Sequence, residues 1–201
     1  NGNVLGLKWG ATALSFALGE GSDRLKTRHC GQSESTFTYN AAGQMTGGNG
    51  RSLAYDGYNG KTRRVSRGDT VTTFAYGGND RRLLRQVDGA ETPDRLYVYG
   101  GEETGKPLMI RDGDRWTVMI GGPTGMVALC SAETTRFTLR DSLDSTWAVV
   151  DADKLLASFA YSPYGRLTHG CADSFPYLFQ GREWDAATAL YNFDARLYDP
   201  A

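Results

Sequence analysis

Phe37-Thr-Tyr-Asn-Ala-Ala-Gly-Gln-Met-Thr46 decides how this chain reads. Large and small residues alternate over Phe37-Thr-Tyr39, a polar turn carrying a glycine follows, and a return strand begins at Met45. Alternation sends Phe37 and Tyr39 to the same face of a strand. The plan recurs in Leu53-Ala-Tyr-Asp-Gly-Tyr-Asn-Gly-Lys-Thr62, in Phe74-Ala-Tyr-Gly-Gly-Asn-Asp-Arg-Arg-Leu83 and in Phe159-Ala-Tyr-Ser-Pro-Tyr-Gly-Arg-Leu-Thr168.

Working outward, further strand openings fall at Phe16, Tyr97, Val118 and Phe137, roughly 16 to 23 residues apart. Tyr97-Val-Tyr99, Val118-Met-Ile120 and Phe137-Thr-Leu139 keep the pattern with other residues, and each pair is expected on the core face of a strand. Return strands are expected at Met45, Val65, Leu83-Leu84, Leu108-Met-Ile110, Met126-Val-Ala-Leu129 and Trp147-Ala-Val-Val150. Asn40 to Gly43, Asp56 to Gly60, Gly77 to Asp80 and Ser162 to Gly165 supply the turn residues. The same holds for the pairs Gly77-Gly78, Gly100-Gly101 and Gly121-Gly122, which follow strands and so do not form a phosphate loop. A hairpin cannot bury its apolar face alone, whereas stacked hairpins share a core. The expected fold is all-β: one repeat-built antiparallel sheet, curved because a long sheet must manage its edges.

Composition agrees. The 201 residues include 26 Gly and 11 Tyr but only 6 Pro, and 22 basic side chains balance 23 acidic ones. Near-neutrality gives no whole-chain case for nucleic acid or an anionic membrane, and no apolar run approaches the ~20 residues of a bilayer span. No basic start leads into an apolar core, so no signal peptide is visible. The opening Asn-Gly-Asn-Val-Leu5 reads as the second half of a repeat, which makes the chain a piece of a larger protein. Cys30, Cys130 and Cys171 are too few and too scattered for a disulfide framework and are expected as buried thiols.

Reactive groups are sparse. His29 abuts Cys30 and His169 lies near Cys171, but neither spacing matches a zinc motif, and no orienting third group marks a Cys-His nucleophile. Asp23, Asp56, Asp80, Asp112, Asp114, Asp141 and Asp144 fall in turns, where a carboxylate caps backbone amides. Arg63, Arg64, Arg67, Arg81, Arg82 and Arg85 are expected on a solvated strand face. Arg67-Gly-Asp69 matches an adhesive tripeptide that arises often by chance in turns. The residues point to no catalytic site, no metal and no cofactor, hence to a protein that is not an enzyme.

Tyr55-Asp56-Gly57, with Gly60 and Arg63-Arg64-Val65 after it, resembles the tyrosine-aspartate (YD) repeats of the Rhs family. Gly181-Arg-Glu-Trp-Asp185, Ala189-Leu-Tyr191 and Ala195-Arg-Leu-Tyr-Asp-Pro200 resemble the Rhs repeat-associated core. Tyr39, Tyr76, Tyr161 and Gly165 take matching repeat positions, and Arg182, Asp185, Arg196, Tyr198, Asp199 and Pro200 carry the terminal motif. Residues 1–174 then form a YD-repeat sheet and 175–201 a core-like terminal motif of the same structural unit. Ala189 stands where the family usually has glycine. The family continues past the position of Ala201 into a segment that includes self-cleavage residues, so no autoproteolytic role is carried onto this sequence.

The resemblance implies a strand ribbon spiralling into part of a hollow shell. The function it implies is that of an exported encapsulating scaffold, the C-terminal shell segment of an Rhs or toxin-complex C-like polypeptide that houses a toxic domain. Its partners would be the rest of that shell, the enclosed toxin domain and a second shell subunit. Teneurins share a similar barrel, which makes an adhesion or carbohydrate-binding module the second expectation. The terminal segment is expected to pack back on the sheet, with Arg182 and Arg196 reaching carboxylates or turn carbonyls at its edge.

Overall fold

A computed structural model describes residues 5–9, 12–88, 91–100, 106–123, 125–194 and 196–200. Residues 1–4, read above as half a repeat, Gly101 of a turn pair and Ala195 of the terminal motif lie outside them. Within each of the four sheets among the described residues, sequence neighbours pair, always antiparallel, so each sheet is a meander. The first sheet is β1 (Gly6–Trp9), β2 (Thr12–Leu18), β3 (Leu25–Cys30) and β4 (Ser33–Thr36). The second has thirteen strands among the described residues. They are β5 (Thr38–Tyr39), β6 (Met45–Gly48), β7 (Arg51–Tyr55), β8 (Thr62–Arg67), β9 (Thr70–Tyr76), β10 (Arg82–Val87), β11 (Arg95–Val98), β12 (Met109–Asp112), β13 (Arg115–Gly122), β14 (Gly125–Cys130), β15 (Thr135–Arg140), β16 (Thr146–Asp151) and β17 (Lys154–Ser158). A hairpin, β18 (Ala160–Tyr161) with β19 (Leu167–His169), comes next. Two short 3-10 turns, Ala172–Ser174 and Phe179–Gly181, lead to a three-stranded meander of β20 (Glu183–Asp185), β21 (Leu190–Phe193) and β22 (Arg196–Tyr198). The architecture is all-β, with sheets that do not close on themselves.

Phe37 and Phe159 depart from the expectation that each repeat opens inside a strand. Each sits in a one-residue break, between β4 and β5 and between β17 and β18. The breaks mark where the chain changes partner. The Phe37 amide still donates to the Lys26 carbonyl at 2.9 Å, while Thr38 already pairs with Gly47. The Phe159 amide donates to Trp147 at 2.8 Å, while Ala160 pairs with His169.

The repeat is built on a tyrosine rung. Phe37, Leu53, Phe74, Tyr97 and Phe159 are buried, and the aromatic two residues on is half-buried with its hydroxyl pinning the preceding unit's backbone. Tyr39 donates to Leu25 at 2.8 Å, Tyr55 to Met45 at 2.6 Å, Tyr76 to Thr62 at 2.8 Å, Tyr99 to Arg82 at 3.0 Å and Tyr161 to Thr146 at 2.6 Å. A buried phenol needs such a partner. Burial of these hydroxyls raises their pKa values, that of Tyr99 to about 12.

Where the third residue of a unit is not tyrosine, the phase inverts. Val118, Ile120, Phe137 and Leu139 face outward, 41–45% exposed, while Met119 and Thr138 turn in. Thr138 Oγ1 then donates to the Met126 carbonyl at 2.8 Å, a shorter version of the same rung. The register aligns Ile120, Ala128, Phe137, Val150 and Leu155 across β13 to β17, an apolar row on the outer face. Trp147 is 51% exposed and Val149 buried, so only part of that return strand joins the core.

Four of the turns share one geometry, and the turn over residues 56–60 is one residue longer. Asn40, Asp56, Gly77, Asp141 and Ser162 open them, and Gly43, Gly60, Asp80, Asp144 and Gly165 supply the left-handed residue at φ of 60–83°. Asp56 Oδ1 accepts the amides of Tyr58 and Asn59, and Asp141 Oδ1 those of Leu143 and Ser145, which is how an Asx turn stabilises itself.

Residues from Phe175 onward complete the core. Phe175, Tyr177, Leu178, Phe179 and Tyr191 pack with Tyr97, Ile110, Met119, Leu129 and Val149 in one cluster, and Leu190 joins Leu53, Val65 and Phe74 in a second. Leu178 and Phe175 are at most 1% exposed, each contributing about 1.5–3 kcal/mol by burial. No helix among the described residues is long and apolar enough to cross a membrane.

Candidate functional site

The chemistry-bearing residues converge on the seam between the sheet and the terminal segment. Gln180 (φ 51°) and Gly181 (φ 60°) turn the chain sharply into β20. An ideal Cβ at Gly181 would lie 2.5 Å from Asp144 Oδ2, so glycine is required there by both conformation and space. Glu183 and Asp185, two apart on β20, are 5% and 1% exposed.

Both carboxylates meet arginines of the sheet. Glu183 Oε1 accepts from Arg95 Nη1 at 2.6 Å and from the Tyr97 hydroxyl at 2.8 Å, while its Oε2 lies 3.6 Å from Arg82 Nη1. Arg95 also donates to Asp112 at 2.9 Å. Arg85 pairs with Asp94 and sits 3.6 Å from Asp185, whose Oδ1 accepts the Thr188 amide at 3.2 Å. Arg82 is 3% exposed and lies over the Phe74 ring at 4.1 Å. Farther along, Arg51 donates to the Thr188 carbonyl at 2.7 Å, to the Ala189 carbonyl at 2.9 Å and to Asp199 at 2.8 Å. Asn49 adds a bond to Asp199 at 2.6 Å.

Burial alone would raise the Glu183 pKa, but Arg95 and Arg82 outweigh it and the net shift is downward. Arg82 and Arg95 stay charged for the converse reason: desolvation opposes the charge, and the carboxylates and phenols around them restore it. Burial, then Glu183, pushes the Tyr97 phenol up. A carboxylate held this low is not poised for proton transfer near neutral pH. The seam is built to hold two layers together.

This corrects two expectations. Arg82 and Arg85 face the β20 carboxylates, not solvent, because a register shift between Arg82 and Leu84 brings both onto one face; Arg63 and Arg64 are exposed. Arg182 and Arg196 do not anchor the segment: Arg182 pairs with Asp194 inside it and stacks over Phe193 at 5.1 Å, and Arg196 is exposed. The anchoring runs the other way, from sheet arginines to terminal carboxylates and carbonyls. Sequence reasoning missed Arg51, Arg95 and Glu183. The available signal was an acidic pair at alternate positions beside an apolar run, opposite a strand rich in arginine.

The other motif residues have structural places. Tyr198 donates to the Tyr164 carbonyl at 2.8 Å, and Tyr191 to that of Gly165 at 3.3 Å. Gly165, at φ 83°, lies beneath Phe179. Gly57 is exposed with open space around it, since Gly60 is the turn's left-handed residue, and Pro200 is half-buried. Ala189 adopts φ 51°, a left-handed conformation that suits the glycine of the family pattern.

Elsewhere, the three cysteines are unbridged; Cys30 and Cys130 are half-buried and Cys171 exposed, not buried as expected, because each lies at or just past the end of a strand. No group of three metal-ligating side chains occurs among the described residues. His29 lies 3.5 Å from Glu34, and His169 Nε2 3.0 Å from Ser158 Oγ. Arg67 and Asp69 are exposed around Gly68 in the β8–β9 turn, with Arg67 donating to the Ala186 carbonyl at 3.3 Å.

No family model matches the chain. It is 31% identical over 172 residues to Salivary gland surface protein 1 of Aedes aegypti, an alignment that covers 74% of this chain and 5% of that protein. Among solved structures it is similar to TcdB2-TccC3, with a TM-score of 0.64 and 16% identity over 94% of this chain and 12% of that one. It is likewise similar to a chain of the Photorhabdus luminescens Tc holotoxin pore, with a TM-score of 0.55 and 13% identity over 94% of this chain and 11% of that one. These likenesses establish the fold, and the chain spans about a tenth or less of the proteins it resembles.

Proposed function

We propose that the chain is a wall segment of an Rhs-type, toxin-complex C-like shell, a scaffold without catalytic residues of its own, in a polypeptide that is exported and encloses a toxic C-terminal domain. The carrying observation is the likeness to TcdB2-TccC3 over 94% of the chain, repeats and terminal segment together. The seam supports the reading: a wall that encloses a cargo needs its layers fastened to one another, and here buried ion pairs fasten the terminal meander to the sheet. Partners under this reading are the remaining shell, the enclosed domain and a second shell subunit. The test is protease protection of the parent polypeptide. The downstream domain should survive protease while the wall is intact and be digested once the wall is opened by E183A. Digestion at the rate of the isolated domain overturns the encapsulating role. Turnover of glycoside, ester or peptide substrates by the chain, lost in a single Asp or His variant, overturns the scaffold reading.

A second reading, a module of a cell-surface adhesion or carbohydrate-binding protein, is favoured by the 31% identity to a salivary gland surface protein. Binding of the chain to a glycan array or to intact cells, with no protection of a downstream domain, would select it.

A further inference from the structure

A groove of about 280 Å³ opens beside the seam, between the inner face of β10 to β15 and the residues around Phe175 and Trp184. Its floor is apolar, from Ile110, Leu129 and Phe175. Its rim carries four arginines, Arg85, Arg95, Arg115 and Arg136, against two aspartates, Asp112 and Asp173. The register sets Arg85, Arg95, Asp112 and Arg115 opposite one another on four consecutive strands. In that row Arg85 and Arg95 are already occupied, by Asp94, Asp112 and the β20 carboxylates. Arg115 and Arg136 have no ion-pair or hydrogen-bond partner among the described residues. Asp112 is taken by Arg95, which leaves Asp173, on an exposed turn, as the only unpaired carboxylate of this rim among the described residues.

The same face therefore presents one acid-binding arrangement filled and one open. In the filled part, an extended strand lays two acidic side chains at alternate positions onto sheet arginines, and Trp184 between them packs against the core. The open part repeats those elements: an apolar floor, flanking guanidinium groups and room for side chains. We propose that the groove is a docking site for a second extended polypeptide segment, which sets carboxylate side chains on Arg115 and Arg136. Guanidinium groups bind carboxylates through short, charge-assisted bonds, and charge complementarity of this kind selects the partner and fixes its register. The inference goes beyond the scaffold reading and holds whatever the parent protein encloses.

The test uses the 201-residue chain and a rhodamine-labelled octapeptide alternating glutamate with valine, followed by fluorescence anisotropy. The peptide should bind, its glutamine counterpart should not, and R115Q/R136Q, which alters two accessible side chains, should weaken binding by ~tenfold or more. R63Q/R64Q, exposed arginines outside the groove, should leave it unchanged. Equal binding of the glutamine peptide, no loss in R115Q/R136Q, or an equal loss in R63Q/R64Q overturns the proposal. Succinate and inorganic phosphate are run as competitors. If either displaces the peptide at concentrations no higher than the peptide itself needs, the groove is a site for free anions and the polypeptide assignment falls. None of these outcomes bears on protection of a downstream domain, so the scaffold reading is judged separately.

Discussion

Arg95 donates to Oε1 of Glu183 at 2.6 Å, joining residues 88 positions apart in the chain, and the Tyr97 hydroxyl closes on the same oxygen at 2.8 Å. Through this contact the terminal meander is fastened to the thirteen-stranded sheet. Removing the carboxylate leaves Arg82 buried without its ion-pair partner and Arg95 with Asp112 alone, so E183A is expected to cost about 3–5 kcal/mol. Urea melts of the two proteins measure it; a loss under ~1 kcal/mol would remove Glu183 from the seam.

The depressed pKa of Glu183 makes the seam sensitive to acid. Its folded value lies below the unfolded one, so its contribution is full above the unfolded pKa of about 4.3 and fades as pH falls through the folded value. Urea midpoints should be flat in this respect near neutrality and fall below about pH 4.3, and the wild-type advantage over E183Q should shrink with them. An advantage that stays constant down to pH 3 would contradict the ion pairing.

Phe74 and Tyr76 separate packing from the rung. Phe74 is 4% exposed, and F74A should cost about 3–5 kcal/mol. Tyr76 is only half-buried, so Y76A should cost less than F74A, and Y76F, which deletes the bond to the Thr62 carbonyl, about 0.5–1.5 kcal/mol. A neutral Y76F would show that the hydroxyl contributes nothing to the repeat.

Ala189 should be improvable. Its left-handed backbone costs about 1–2 kcal/mol, and a glycine there gives back ~0.4–1 through the freer unfolded chain, so A189G should gain about 0.5–1 kcal/mol. Thermal melts decide; a destabilised A189G would mean that the Ala189 methyl packs better than the strain it imposes.

Gly165 should not tolerate a side chain. At φ 83°, an added Cβ would sit 2.5 Å from the Phe179 ring. G165A is expected to destabilise by more than ~1 kcal/mol and to loosen Phe179, read by melts and by near-ultraviolet circular dichroism.

Alternation, turn residues and aromatic repeats carried the fold class, because strand periodicity and turn chemistry act over a few neighbouring residues. The same local rules placed Tyr39, Tyr55, Tyr76 and Tyr161 at equivalent strand positions and the left-handed turn glycines at Gly43, Gly60 and Gly165, while the hydroxyl bonds of those tyrosines emerged only from the structure. They failed for Val118, Ile120, Phe137 and Leu139, since an alternating strand is equally regular in either phase and only its neighbours decide which face is covered. They failed again for the arginines. Whether Arg82 or Arg63 is buried, and whether Arg182 or Arg95 carries the ion pair between sheet and terminal segment, depends on which strand that segment lies against. Local sequence therefore determined the hairpin and its turns; the tyrosine hydroxyl bonds, and the pairing of Arg51, Arg82, Arg85 and Arg95 with Glu183, Asp185 and Asp199, were decided only by tertiary structure. Contacts between groups about a hundred residues apart leave no periodic trace, and a buried charge is stable only where the fold delivers its partner.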